Sequence, residues 1–179
     1  MLGQRLFKVM VPLTVVFGLL GGSAAVAGED IAAREQSLAK LLVEKLGADA
    51  KTIRVVIDEG KVMLLGTVNE RSTKELAKEV VLFGGADKIS NKVKAKNEKK
   101  VFSGAGLQEA ADAELEISVK SKIEKEIGDH AKTIEVETVD GVVSLRGELP
   151  DAARRGFAID AVKGTEGVKK VIDLIRIKS

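Results

Sequence analysis

Among its 179 residues the chain has one histidine, His130, and no cysteine. The side chains that most often carry nucleophilic or metal chemistry are therefore nearly missing. His130 follows Gly128 and Asp129 in a loop-like stretch. One imidazole beside one carboxylate, with no nucleophile and no second ligand, makes neither an acid–base pair nor a metal site. The lack of cysteine excludes disulfides, thiolate metal sites and a lipid attached through an N-terminal Cys. Carboxylates do come in pairs that could supply a general acid and a general base. Glu124 and Glu126, however, fall on the polar face of a helical pattern, and Glu135 and Glu137 alternate with Ile134 and Val136 on a strand pattern. Both pairs read as solvated faces. Gly84-Gly85 follows a helical pattern instead of preceding one, and no G-x-x-x-x-G-K-[ST] occurs, so no phosphate loop is encoded.

What remains is the chemistry of binding. Lys120, Lys122 and Lys125 share one helical stretch, and Arg154 and Arg155 begin another. Such a cluster attracts anionic lipid by up to about 1 kcal/mol per charge near a surface. Glu109, Asp112, Glu114, Glu116, Glu124 and Glu126 crowd the same first stretch, so its ordinary reading is a solubilising face. Of the 29 basic residues, Arg5 and Lys8 sit in an N-terminal leader, which leaves 27 against 27 acidic ones. With that balance, nothing in the sequence resembles the basic stripe that nucleic-acid binding needs. Aromatic residues make up 3% of the chain, with no Trp or Tyr, so there is little on which bases or flat cofactors could stack. No cofactor is expected.

The element that organises these residues is a hairpin written twice. In residues 134–147, Ile134, Val136 and Thr138 alternate with Glu135 and Glu137. Asp140-Gly141 interrupts the run, and Val143, Leu145 and Gly147 resume it. Asp-Gly between alternating apolar runs predicts a two-residue type I′ turn, whose central residues both need positive φ. Residues 53–66 say the same, with Glu59-Gly60 at the turn. The offset is 81 residues up to the second helix of each copy and 82 beyond it. Gly66 and Gly147 stand late in each second strand, where glycine weakens a sheet unless another element approaches closely. Together with the turn glycines Gly60 and Gly141 they are read as structural.

Leu38, Leu42 and Leu46 in the first copy and Leu115, Val119, Ile123 and Ile127 in the second recur every four residues, the stripe of an amphipathic helix. After each hairpin comes a second helix: Asn69 is the expected cap of the first-copy one, and Pro150-Asp151 opens the other. Leu76, Ala77, Val80 and Val81 match Phe157, Ala158, Ala161 and Val162 as the buried stripe. A closing strand follows each. The economical arrangement is an α+β fold of two tandem αββαβ bodies, each a three-stranded mixed sheet with both helices on one face. Bodies this small are marginal alone, so packing between the copies is expected. The organisation reads as a leader over 1–27, a first body over 29–97, a linker over 98–109 and a second body over 110–179. Within the linker, Val101 and Phe102 are candidates to dock on a neighbouring body. The leader has basic, apolar and A-x-A parts in the order of a cleaved secretory signal, with the cut expected after Ala27. The protein is thus expected to be exported.

The run Asp140-Gly141-Val142-Val143, Leu145 and Gly147, followed after a helix by Glu166-Gly167-Val168 and Val171, resembles the BON domain. The second copy matches closely and the first less so, with Glu59 and Lys61 around its turn and Ala86-Asp87 where Gly-Val is usual. A leader followed by two such units looks like the tandem-BON periplasmic proteins of Gram-negative bacteria, the osmotically inducible group among them. The resemblance implies the same αββαβ fold and a non-enzymatic periplasmic protein that associates with phospholipid membrane or an envelope protein. It also allows a chaperone-like stabiliser of exported proteins, or an interaction module of a larger envelope assembly.

Overall fold

The computed structural model describes residues 24–97 and 105–178. Most of the leader, and Val101 and Phe102, lie outside the described residues. The elements run α1 (Ala24–Leu46), β1 (Arg54–Asp58), β2 (Lys61–Val68), α2 (Arg71–Phe83) and β3 (Lys88–Ala95), then α3 (Ala105–Ile127), β4 (Ile134–Val139), β5 (Val142–Leu149), α4 (Ala152–Lys163) and β6 (Lys170–Ile177). A 3₁₀ turn precedes each hairpin, at Ala48–Thr52 and Gly128–Thr133. The fold is thus α+β, with two sheets of order β1-β2-β3 and β4-β5-β6.

Both hairpins turn as the dipeptides dictate. Asp58 pairs with Lys61 and Val139 with Val142, leaving two residues in each loop. Those residues have positive φ throughout: 46° at Glu59, 76° at Gly60, 54° at Asp140 and 78° at Gly141. The third strand of each body runs parallel to the second after the helical crossover. Alternation then sorts the side chains. Val55, Val62, Leu64 and Val93 point toward α1 and α2, and Val136, Val143, Leu145 and Ile175 toward α3 and α4.

The two bodies are stacked, not merely linked. The first hydrophobic core contains Val139, Ile172 and Leu174 from the second sheet, and α2 lies against β4 and β5 while α1 reaches β6. The order of layers is therefore first sheet, α1 and α2, second sheet, α3 and α4. The middle helical layer covers its own sheet on one side and the back of its neighbour on the other. Leu76 and Leu174 are wholly buried as a result, and each such burial contributes about 1.5–3 kcal/mol.

Four expectations change in detail. Asn69 does not cap α2: the N-cap is Glu70, without a side-chain bond. Asp49, in the preceding 3₁₀ turn, takes up the backbone N–H groups of Asn69 and Glu70 and the Asn69 side-chain amide. In the second copy Asp151 is the cap, accepting from the Arg154 N–H at 2.8 Å, and the helix begins after it at Ala152. The helix α3 starts at Ala105, so residues 105–109, read as linker, are helical. Phe157, expected in the buried stripe, is 55% exposed, whereas Leu76 at the matching position is 0% exposed. The difference is the layer order, because among the described residues α4 has no second sheet on its outer side.

Candidate functional site

The contact between the bodies defines what one of these sheet faces can hold. The back of the second sheet presents Val139, Ile172 and Leu174 to the helical layer, framed by charged groups that meet helix termini and side chains. Lys170 Nζ donates to the carbonyl of Leu46, the last residue of α1, at 3.0 Å. Arg176 donates to the carbonyl of Phe83, the last residue of α2, and its guanidinium lies 4.9 Å from the centre of the Phe83 ring. Cations at the negative ends of two helices are favourably placed. Arg146 Nε reaches Glu79 Oε2 at 2.9 Å, and Arg71 pairs with Asp140 at 3.7 Å. Glu137 is half-buried in the same seam. Burial, then the charge of Glu79 and a hydrogen bond shared with it, push its carboxyl above the ordinary range.

The corresponding back of the first sheet has no such cover among the described residues. Among the described residues, the helices in contact with β1, β2 and β3 bury Val55, Val62, Leu64 and Val93, the set that points the other way. On the open side, Val56, Met63 and Leu65 form a half-buried apolar centre. Register aligns Arg54 with Leu65 and Lys92, and Asp58 with Lys61 and Lys88. The face thus carries Arg54, Lys61, Lys88, Lys92 and Lys94, all exposed, against the single acid Asp58. None of the five cations has an ion pair within 4.0 Å among the described residues. Sequence reading missed this face. The signal was available: Lys88, Lys92 and Lys94 share one parity of the β3 alternation, opposite to Ile89, Asn91 and Val93.

A family model described as the BON domain matches residues 30–97 and again 111–179. The chain belongs to the BON family. Its two BON domains are the two αββαβ bodies described above. No curated protein matches the sequence. Among solved structures, two from Chlamydia trachomatis are similar: the C-terminal domain of CdsD, described as the structural protein of the type III secretion system, and a second structure of CdsD. They share 15% and 16% identity at a TM-score of 0.34 each. This chain is covered over 83% and 82% of its length, and those chains over 67% and 63% of theirs.

The cations read from sequence as lipid-facing lie in the second BON domain and are largely engaged. Lys120 pairs with Glu116 at 2.6 Å, and Lys122 donates to the Gly164 carbonyl at 2.9 Å. Arg154 pairs with Asp151 and Arg155 with Asp173, while Lys125 is exposed. Asp112, counted among the acids of a solvated face, is buried. Its carboxylate accepts from the N–H groups of Asp140 at 2.8 Å and Gly141 at 3.0 Å, and from Gln108, and so ties α3 to the hairpin turn.

The glycines do different jobs. Gly60 and Gly141 supply the positive φ of the turns. Gly66 and Gly147 instead admit a close backbone approach: a Cβ there would lie 2.3 Å from the Thr52 carbonyl oxygen and 2.1 Å from that of Thr133. The approaching element is the 3₁₀ turn before each hairpin. His130 borders a shallow depression of about 440 Å³ shared with Thr133, Gly147, Glu148, Pro150 and Lys178. Among the described residues no group of three or more His, Cys, Asp or Glu could hold a metal ion.

Proposed function

We propose that this protein is a non-enzymatic interaction module of the cell envelope, exported to the periplasm, whose working surface is the open back of its first BON sheet. The carrying observation is internal. One BON domain of this chain already holds the other by receiving a helical layer on the back of its sheet, and among the described residues the same face of the first sheet stands uncovered. Membership of the BON family supports a binding role in the envelope. Among the described residues no helix is long and apolar enough to cross a membrane. A photo-crosslinking residue at Met63 is expected to give discrete adducts with envelope components in living cells. The same probe at Lys132, in the 3₁₀ turn before β4, is expected to give none. Equal labelling at both positions, or none at either, would overturn this reading.

The unpaired cations around the apolar centre favour a second reading, in which the same face rests on anionic phospholipid. Five cations at up to about 1 kcal/mol each suffice for a salt-sensitive attachment. Co-sedimentation with phosphatidylglycerol vesicles is then expected at low salt, lost at high salt and lost in Lys92→Glu/Lys94→Glu. It is expected to survive Lys120→Glu/Lys122→Glu. Failure to sediment at low salt would leave the protein-binding reading alone.

A further inference from the structure

We propose that the open back of the first sheet receives the α3–α4 layer of a second copy of this chain, so that copies associate head to tail by repeating the contact that joins their own two domains. This rests on the reading above, in that it uses the same face, and it names the occupant. The contact within the chain is heterologous: the helical side of the first domain meets the sheet side of the second. A heterologous contact between repeats leaves one unused half at each end, and it continues unless the terminal surfaces are altered to cap it.

Among the described residues, neither end of the stack is capped. On the sheet end, the two cations that hold helix C-termini within the chain are both kept as cations. Lys88 stands where Lys170 binds the end of α1, and Lys94 stands where Arg176 binds the end of α2. The apolar centre is rebuilt at other positions: Asp58, Ser90 and Lys92 stand where the second sheet has Val139, Ile172 and Leu174, while Val56, Met63 and Leu65 are apolar where it has Glu137, Ser144 and Arg146. On the helical end, Phe157 is 55% exposed at the position where Leu76 fills the internal seam. Around it, Ala153 and Gly156 replace Ser72 and Glu75, which clears room for a close approach. Asp160 takes the place of Glu79, the acid that meets Arg146 across the seam. Its cation on the receiving sheet is displaced by one strand, because Leu65 replaces Arg146 while Lys92 sits beside Leu65 in register. A basic rim around an apolar centre thus faces an exposed aromatic, Asp160 and the C-terminus of α3, whereas the C-terminal carbonyl at Gly164 already accepts from Lys122.

Sedimentation velocity of the full chain over a concentration series tests this. The weight-average mass is expected to rise from the 19.0 kDa monomer toward multiples of it. Phe157→Glu on the helical end and Lys88→Glu/Lys94→Glu on the sheet end should each weaken association at least tenfold, while circular dichroism and the melting curve stay near those of the parent. The decisive mixture combines those two variants. Each retains one intact end, so together they should form a 1:1 dimer that neither forms alone. A monomer at all concentrations would overturn the proposal, as would association indifferent to both variants. A monomer whose Met63 probe still labels another envelope protein, or whose vesicle binding needs Lys92 and Lys94, would overturn it while leaving the proposed function standing.

Discussion

Individual side chains in this fold are decided by what approaches them, and the glycines make the point. Gly60 has positive φ but open space where a methyl would stand, so Gly60→Ala is expected to cost about 1–2 kcal/mol, the strain of a left-handed residue. Gly147 has both positive φ and the Thr133 carbonyl at 2.1 Å from a Cβ. Gly147→Ala should therefore cost about 2–4 kcal/mol, since the 3₁₀ turn would have to move. Urea unfolding of the two variants measures the difference, and equal losses would contradict the close approach. Asp112 belongs to the same scale. Asp112→Ala strands two backbone N–H groups in a buried turn and is expected to cost about 2–3 kcal/mol, with Asp112→Asn retaining part of the interaction. The sequence showed that Asp140-Gly141 turns the chain. It did not show that Asp112, 28 residues earlier, holds the turn, because a lone acid on a charged helix has no periodic signature.

At the scale of elements, most of the structure was legible because period and punctuation agree. The stripe from Leu38 to Leu46 gives α1, the two-residue turns fix register, and the parity of β3 places Val93 inside. Helix starts were less legible, since a cap can come from any neighbouring segment. For α2 it comes from Asp49, whose carboxyl burial tends to raise in pKa. The N–H groups of Glu70 and Asn69, with Thr73 and the Asn69 side chain, outweigh this and hold it below the ordinary range. A carboxylate with a depressed folded pKa contributes stability above its unfolded pKa and loses that contribution as pH falls through the folded one. Asp49→Ala is expected to cost about 1 kcal/mol near neutral pH. The gap from the parent should close below the ordinary value of 3.8. Denaturation at stepped pH from 7 downward checks this, and a gap that persists in acid would point to packing instead.

Across the whole molecule, the stacking of the two domains is the feature that sequence could imply but not orient. Small bodies needed a partner, but nothing local in the stripe of α4 distinguished Phe157 from Leu76. Their burial differs only because one helical layer lies between two sheets and the other does not. The shared core makes folding joint: Leu174→Ala removes a wholly buried side chain from the seam and should cost about 2–5 kcal/mol. Hydrogen exchange should then rise in α2 as well as in β6. Glu137 works in the opposite direction at the same seam. On α2 it faces Glu79 and Lys78; Glu116 on α3 also acts on it, and Arg146 lies nearby, occupied by Glu79 and Glu135. With its folded pKa raised, the folded state holds the Glu137 proton more tightly than the unfolded chain does. Its contribution is therefore largest in acid and is lost as pH rises through the folded pKa. Glu137→Gln keeps the shape, removes the charge opposite Glu79 and makes that low-pH state permanent. The variant is expected to melt higher than the parent at neutral pH, with the advantage shrinking toward and below the ordinary value of 4.5. A variant that melts lower at neutral pH would mean that the carboxylate is better served by nearby cations than repelled by Glu79, and the electrostatics assigned to the seam would be wrong.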